Sequence, residues 1–151
     1  MPQSFAKIYI HFVFHVKYAS RKLREEHLER VHAYLGQLVN AAGCRVLKVG
    51  GVANHVHALF LLSREETIAH VVEEVKRNSS RWLKTLSPDY RGFAWQAGYA
   101  AFSVSQSMVD KTLAYIDNQA EHHKKLTFEE EYKTFLRLYG IDFDERYVLK
   151  D

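Results

Sequence analysis

The chain has 151 residues, a hydrophobic fraction of 47%, a charged fraction of 26% and a formal net charge of +3. These proportions predict one globular domain over residues 1–151 with a core of its own. They exclude a disordered chain. With no bilayer-length apolar run, no signal-peptide pattern and Cys44 as the one cysteine, they also exclude a membrane span and a disulfide scaffold. A reducing cytoplasm is the expected compartment.

Along the chain, "FAKIYIHFVFHVKY" alternates, with Ile8, Ile10, Phe12, Phe14 and Val16 on one face and Tyr9, His11, Val13, His15 and Lys17 on the other. That period of two predicts a first strand. Leu28, Val31, Leu35, Leu38, Val39 and Ala42 recur at helical spacing, so a helix is predicted over 24–42 with Gly43 at its end. "CRVLKVGGV" and "HVHALFLL" then read as a hairpin turning near Ala53 and Asn54. Ser63 and Glu66 form a capping-box pattern ahead of a second helix, which carries Ile68, Val71, Val72, Val75, Trp82, Leu83 and Leu86 on one stripe. "FAWQAGYAAFSVS" reads as a last, irregular strand.

The order strand, helix, strand, strand, helix, strand predicts an α+β fold of the ferredoxin-like βαββαβ type, an antiparallel sheet with two helices on one face. Two more helices are predicted beyond it. One spans about 107–123, and the other starts at Thr127, with Glu130 as its capping partner, and stops at Gly140.

Within "VANHVHALFLL", His55 and His57 are two apart and project from one strand face, where two neutral imidazoles can hold a divalent ion. A hydrogen-bonded pair on a half-buried strand satisfies the same pattern. On the helix over 107–123, Val109, Leu113, Ile116 and Ala120 form a packing arc of roughly 60°. Lys111, Tyr115, Gln119 and His122 form a second arc of about 80°. That second arc offers a phenol, a neutral oxygen ligand and a cation, a set suited to phosphoryl transfer onto tyrosine beside a metal.

"GGVANHVHALF", "VKRNSSRWL", "FAWQAGYAAFSVS" and "YIDNQAEHH", in this order, resemble the single-tyrosine HUH transposases of small bacterial insertion sequences, the IS200-like family. HUH stands for His, a hydrophobic residue, His. The likeness runs over nearly the whole chain, including "EEYKTFLRLYGIDFDERY". It implies that Tyr115 is the nucleophile and that His55, His57 and Gln119 hold magnesium or manganese. Members often carry an acidic residue just before the HUH, where this chain has Asn54 and so one negative charge fewer.

The resemblance further implies an enzyme that binds imperfect hairpins in single-stranded DNA. It would cut and rejoin the strand through a 5′-phosphotyrosine, as a homodimer in which "SVSQS" lets the tyrosine helix exchange between subunits. Lys17, Arg21, Lys76, Arg77, Ser79, Ser80 and Arg81 are the candidate phosphate contacts, with Lys111 and His122 supporting the tyrosine. Trp82 reads as core, Cys44 as an inert strand residue, and His11 and His15 as structural histidines near the site. Two other readings of the same features are a domesticated relative acting on chromosomal repeat hairpins and a nucleic-acid-binding module without catalysis.

Overall fold

The computed structural model describes residues 2–150. Four strands, β1 (Tyr9–His15), β2 (Arg45–Val52), β3 (His55–Leu61) and β4 (Ala100–Val104), form one antiparallel sheet in the order β2-β3-β1-β4. With α1 (Leu28–Ala41) after β1 and α2 (Ile68–Leu86) after β3, this is the expected split βαβ arrangement.

Alternation sorts β1 and β3 between two layers. Ile10, Phe12, Phe14, Val56, Ala58 and Phe60 pack with Val31, Leu35 and Val39 of α1 and with Val71, Val72, Val75 and Leu83 of α2 in the main core. On the opposite face the register sets His15 across from His55 and Val13 across from His57. Cross-strand partners in an antiparallel pair share a face, so these histidines lie side by side away from α1 and α2. Trp82 is half-buried against the main core, stacked on Tyr34. Cys44 is buried there, its sulfur accepting the Ser63 N–H.

Three helices cover the second face: α3 (Val109–Asp117), α4 (Gln119–His122) and α5 (Phe128–Leu138). Val109 and Ile116 of α3 pack with Tyr9 and Leu59, while Phe128, Tyr132 and Leu136 of α5 pack with Val13, Ala100 and Phe102. Gly50 makes the α3 contact possible. A Cβ on Gly50 would lie 2.6 Å from the Ile116 carbonyl oxygen, so the helix backbone rests where a side chain would stand.

Two local expectations are corrected. The helix over 107–123 breaks at Asn118, whose backbone (φ −100°, ψ 20°) leaves the helical region and whose N–H caps Ala114 and Tyr115. The second helix starts later than its capping pattern suggests. Thr67 accepts the His70 N–H as N-cap, while Ser63 Oγ accepts from Glu65 in the preceding turn. The last helix starts as expected, with Thr127 Oγ1 accepting the Glu130 N–H, and Gly140 follows it at φ +66°.

Candidate metal and tyrosine site

His55 and His57 enter the second layer from β3 because they alternate with Val56 and Ala58, which the main core takes. Both are 0% exposed. Gln119, at the first turn of α4, is 1% exposed and brings its Oε1 to 2.9 Å from His55 Nε2. Tyr115, one turn earlier on α3, is half-buried. The expected quartet therefore converges inside one chain.

What joins them is a residue the sequence pattern did not single out. Glu131 of α5, 2% exposed, points into the centre of the group. Its Oε1 lies 3.0 Å from His57 Nε2 and 3.3 Å from His55 Nε2. Its Oε2 accepts the Gln119 amide N–H at 3.1 Å and the Tyr115 hydroxyl. His55, His57 and Glu131 form a buried cluster able to hold a metal ion. Its carboxylate supplies a charge of the kind that Asn54 lacks. Asn54 itself orients the first histidine, Oδ1 to Nδ1 at 2.7 Å. His11 does the same for the second, with Nε2 2.8 Å from His57 Nδ1.

Burial governs the electrostatics. It pushes the His55 pKa down to about 4 and that of His11 to about 3, so both rings are neutral at pH 7. Burial works to raise the Glu131 pKa, but bonds to His55, His57 and Tyr115 outweigh it and hold the carboxylate ionised, well below its usual range. The Tyr115 phenol is pushed up, first by burial and then by its bond to Glu131.

Tyr115 also lines a cleft of about 690 Å³ with His11, Lys111, Phe135 and Tyr139, and His122 stacks on its ring at 4.5 Å. Lys111 and His122 therefore stand beside the phenol. The α2 residues stand elsewhere, behind the main core. There Lys76 Nζ donates to the Gln96 and Gly98 carbonyls, Arg77 pairs with Glu73 and Glu74, and Ser80 accepts from Lys84. Ser79 is buried and accepts from Trp95 Nε1, and Arg81 is exposed. Lys17 and Arg21 lie in the loop after β1, the latter 3.9 Å from Asp89. His15 lies beside the site, its ring against Phe128 and Tyr132 of α5.

The sheet brings a tyrosine together with a histidine–carboxylate cluster, and the sequence assigns the family. The chain belongs to the IS200-like transposases, whose family model matches residues 4–119. Among solved structures it is similar to a candidate transposase from Deinococcus radiodurans, with 21% identity, a TM-score of 0.60, and coverage of 79% of this chain and 98% of that one. It is also similar to a REP-associated tyrosine transposase bound to a REP hairpin, with 10% identity, a TM-score of 0.60, and coverage of 82% and 73%. At these identities the likeness is one of fold. No curated protein matches the chain. Among the described residues no helix is long and apolar enough to cross a membrane.

Proposed function

We propose that the protein cuts and rejoins single-stranded DNA at hairpin-marked ends through a tyrosine–phosphate intermediate, with a divalent ion held by His55, His57, Gln119 and Glu131. The observation that carries this reading is the convergence of the Tyr115 hydroxyl, both histidines and Gln119 on one buried carboxylate, in a member of a transposase family. A hairpin substrate is supported by the REP hairpin that the solved relative binds.

The ion supplies Lewis acidity and neutralises phosphate charge. The remaining work belongs to side chains. Tyr115 Oη attacks the phosphorus, a P–O bond to the tyrosine forms, and the bond to the leaving 3′ oxygen breaks. The products are a 5′-phosphotyrosine and a 3′-hydroxyl. Glu131 Oε2 accepts the phenolic hydrogen bond and orients the phenol for attack. The phenolic proton passes to solvent, and the departing 3′ oxygen takes a proton from solvent. Lys111 and His122 flank the phenol where the phosphate would approach, and a later 3′-hydroxyl reverses the attack without any other energy source.

The test is a denaturing gel of an end-labelled single-stranded hairpin, in divalent metal and in chelator. Wild type should give a slow-migrating adduct in metal alone, and Tyr115→Phe should give none while still binding the hairpin. Equal cleavage by both proteins without an adduct would overturn the reading. A domesticated enzyme working on chromosomal repeats is favoured by the same REP-bound relative. Flanking DNA distinguishes the two: element ends in many copies, or a solitary gene.

A further inference from the structure

We propose that the cleft beside Tyr115 holds the base of the nucleotide that stays joined to the tyrosine, and that it favours adenine over thymine. This rests on the reading of Tyr115 as the nucleophile.

The cleft, of about 690 Å³, lies in the size range of small-molecule sites. Its walls come from the end of β4, from α3 and from α5, and Tyr115 is one of them. Cutting to a 5′-phosphotyrosine releases the upstream strand and leaves the downstream nucleotide tethered to the Tyr115 oxygen. The sugar and base of that nucleotide then lie within one nucleotide's length of the phenol, beside the cleft. Lys111 is exposed on the same wall, where its ammonium can meet the phosphate.

The walls suit a flat ring. Tyr139 stacks on Phe102, with centroids 4.5 Å apart and planes 24° from parallel. Its hydroxyl donates to the Ser103 carbonyl at 3.2 Å, which fixes the ring in place. Tyr139 is 45% exposed, and among the described residues no other ring stacks on it. Met108 and Leu138, 44% and 77% exposed, leave further apolar surface in water at the same cleft. Apolar surface gathered at one cleft and rimmed by polar groups marks a binding site, and an aromatic face beside a cation is what an unpaired base stacks on.

Hydrogen-bond polarity then selects the base. Thr112 and Thr134 line the cleft from opposite helices. Thr112 Oγ1 donates to the Met108 carbonyl at 2.9 Å, and Thr134 Oγ1 donates to the Glu130 carbonyl at 2.8 Å. Each hydroxyl has one hydrogen, so both have only lone pairs left to offer. The amino groups of adenine and cytosine donate to such acceptors, whereas guanine and thymine present a carbonyl oxygen at the corresponding position. Adenine joins the donor to a larger ring, which covers more of the apolar wall than cytosine does.

The experiment takes full-length protein labelled at its threonine, methionine and leucine methyl groups. It is titrated with deoxyadenosine 5′-monophosphate, thymidine 5′-monophosphate or inorganic phosphate and followed by NMR. The adenine nucleotide should move the methyl signals of Met108, Thr112, Thr134 and Leu138. It should bind about fivefold more tightly than the thymine nucleotide, the effect of one neutral hydrogen bond. Tyr139→Ala should weaken it about tenfold through lost stacking. Thr112→Val and Thr134→Val together should make the two nucleotides equal. Cleft signals unmoved by either nucleotide, or moved as far by inorganic phosphate, would overturn the proposal. Equal binding of both nucleotides by wild type would overturn the preference. Signals that move on dilution without nucleotide would give the cleft to a second copy of the chain and overturn the proposal as well. Should Tyr139→Ala unfold, cross-relaxation between the adenine protons and the Met108 and Leu138 methyl groups of wild type reads the same contact, and its absence overturns the proposal. Nucleotide binding at the cleft by a protein that forms no adduct would support the cleft and overturn the nucleophile. An adduct with unmoved cleft signals would overturn the cleft alone.

Discussion

Glu131 is the side chain on which the site turns. It faces two histidines, an amide and a phenol, and it is nearly inaccessible to water. Glu131→Gln keeps the volume and removes the charge, so the fold should survive. A buried carboxylate ligand contributes charge that an amide cannot replace in water-excluded surroundings. The variant should bind divalent ions at least tenfold more weakly by calorimetry and form no covalent DNA adduct. An unchanged affinity would remove Glu131 from the ligand set. His57→Ala is the sharper cut, since it removes a proposed metal donor and leaves the His11 nitrogen without its partner. Loss of ion binding is expected, with thermal stability lowered by about 1–3 kcal/mol for the broken buried hydrogen bond.

At the scale of elements, the seat of α3 on β2 decides where the phenol stands. Gly50→Ala sets a methyl group 2.6 Å from the Ile116 carbonyl oxygen, a backbone atom that can move only with its helix. The cost of such overpacking is about 1–3 kcal/mol. Tyr115 is the residue before Ile116, so the displacement is passed directly to the proposed nucleophile. A lowered melting temperature together with a larger loss of cleavage than of hairpin binding is the expected signature, read by thermal melts and the adduct gel. Equal losses in binding and cleavage would place the defect in the fold as a whole. A milder test of α5 is Thr127→Ala, which removes the N-cap bond to Glu130 and should destabilise by about 1 kcal/mol in a melt.

For the whole molecule, three histidines are held neutral by burial: His11 at about 3, His32 at about 4 and His55 at about 4. Their folded pKa values lie below the unfolded value near 6.5, so the unfolded chain binds more protons across that window. The stability contributed by their neutral forms is full above about pH 6.5 and is lost as pH falls towards 4. Melts of chelator-treated protein should show the midpoint falling steeply over that interval, and a flat profile would contradict the burial of these rings. Hairpin affinity should fall steeply with salt, because Lys and Arg contacts to phosphate release counterions. The homodimer that the resemblance implies is tested by light scattering at micromolar concentration. Full activity from a monomer would remove any exchange of tyrosine helices, and the meeting of Tyr115 with His55 and His57 inside one chain makes that comparison direct.

Periodicity made the scaffold legible: two-residue alternation marked β1 and β3 and their buried faces, and the helical stripes of α1 and α2 named the core that covers one side. The pair His55 and His57 could be read as facing one way because strand geometry is local, and Tyr115 with Gln119 because helix geometry is local. The place of Glu131 could not be read in this way. Glu131 sits in a run of three glutamates, and although helical spacing puts it on the apolar face of Phe128, Tyr132 and Phe135, that spacing does not say which part of the sheet the face covers. Its position follows from α5 folding back across the sheet onto Val13, Ala100 and Phe102, a long-range packing choice. Spacing along the chain therefore determined the strand pair and the tyrosine face. Tertiary closure alone decided which carboxylate joins the two histidines, because residues from separate elements meet only when the sheet's second face is covered.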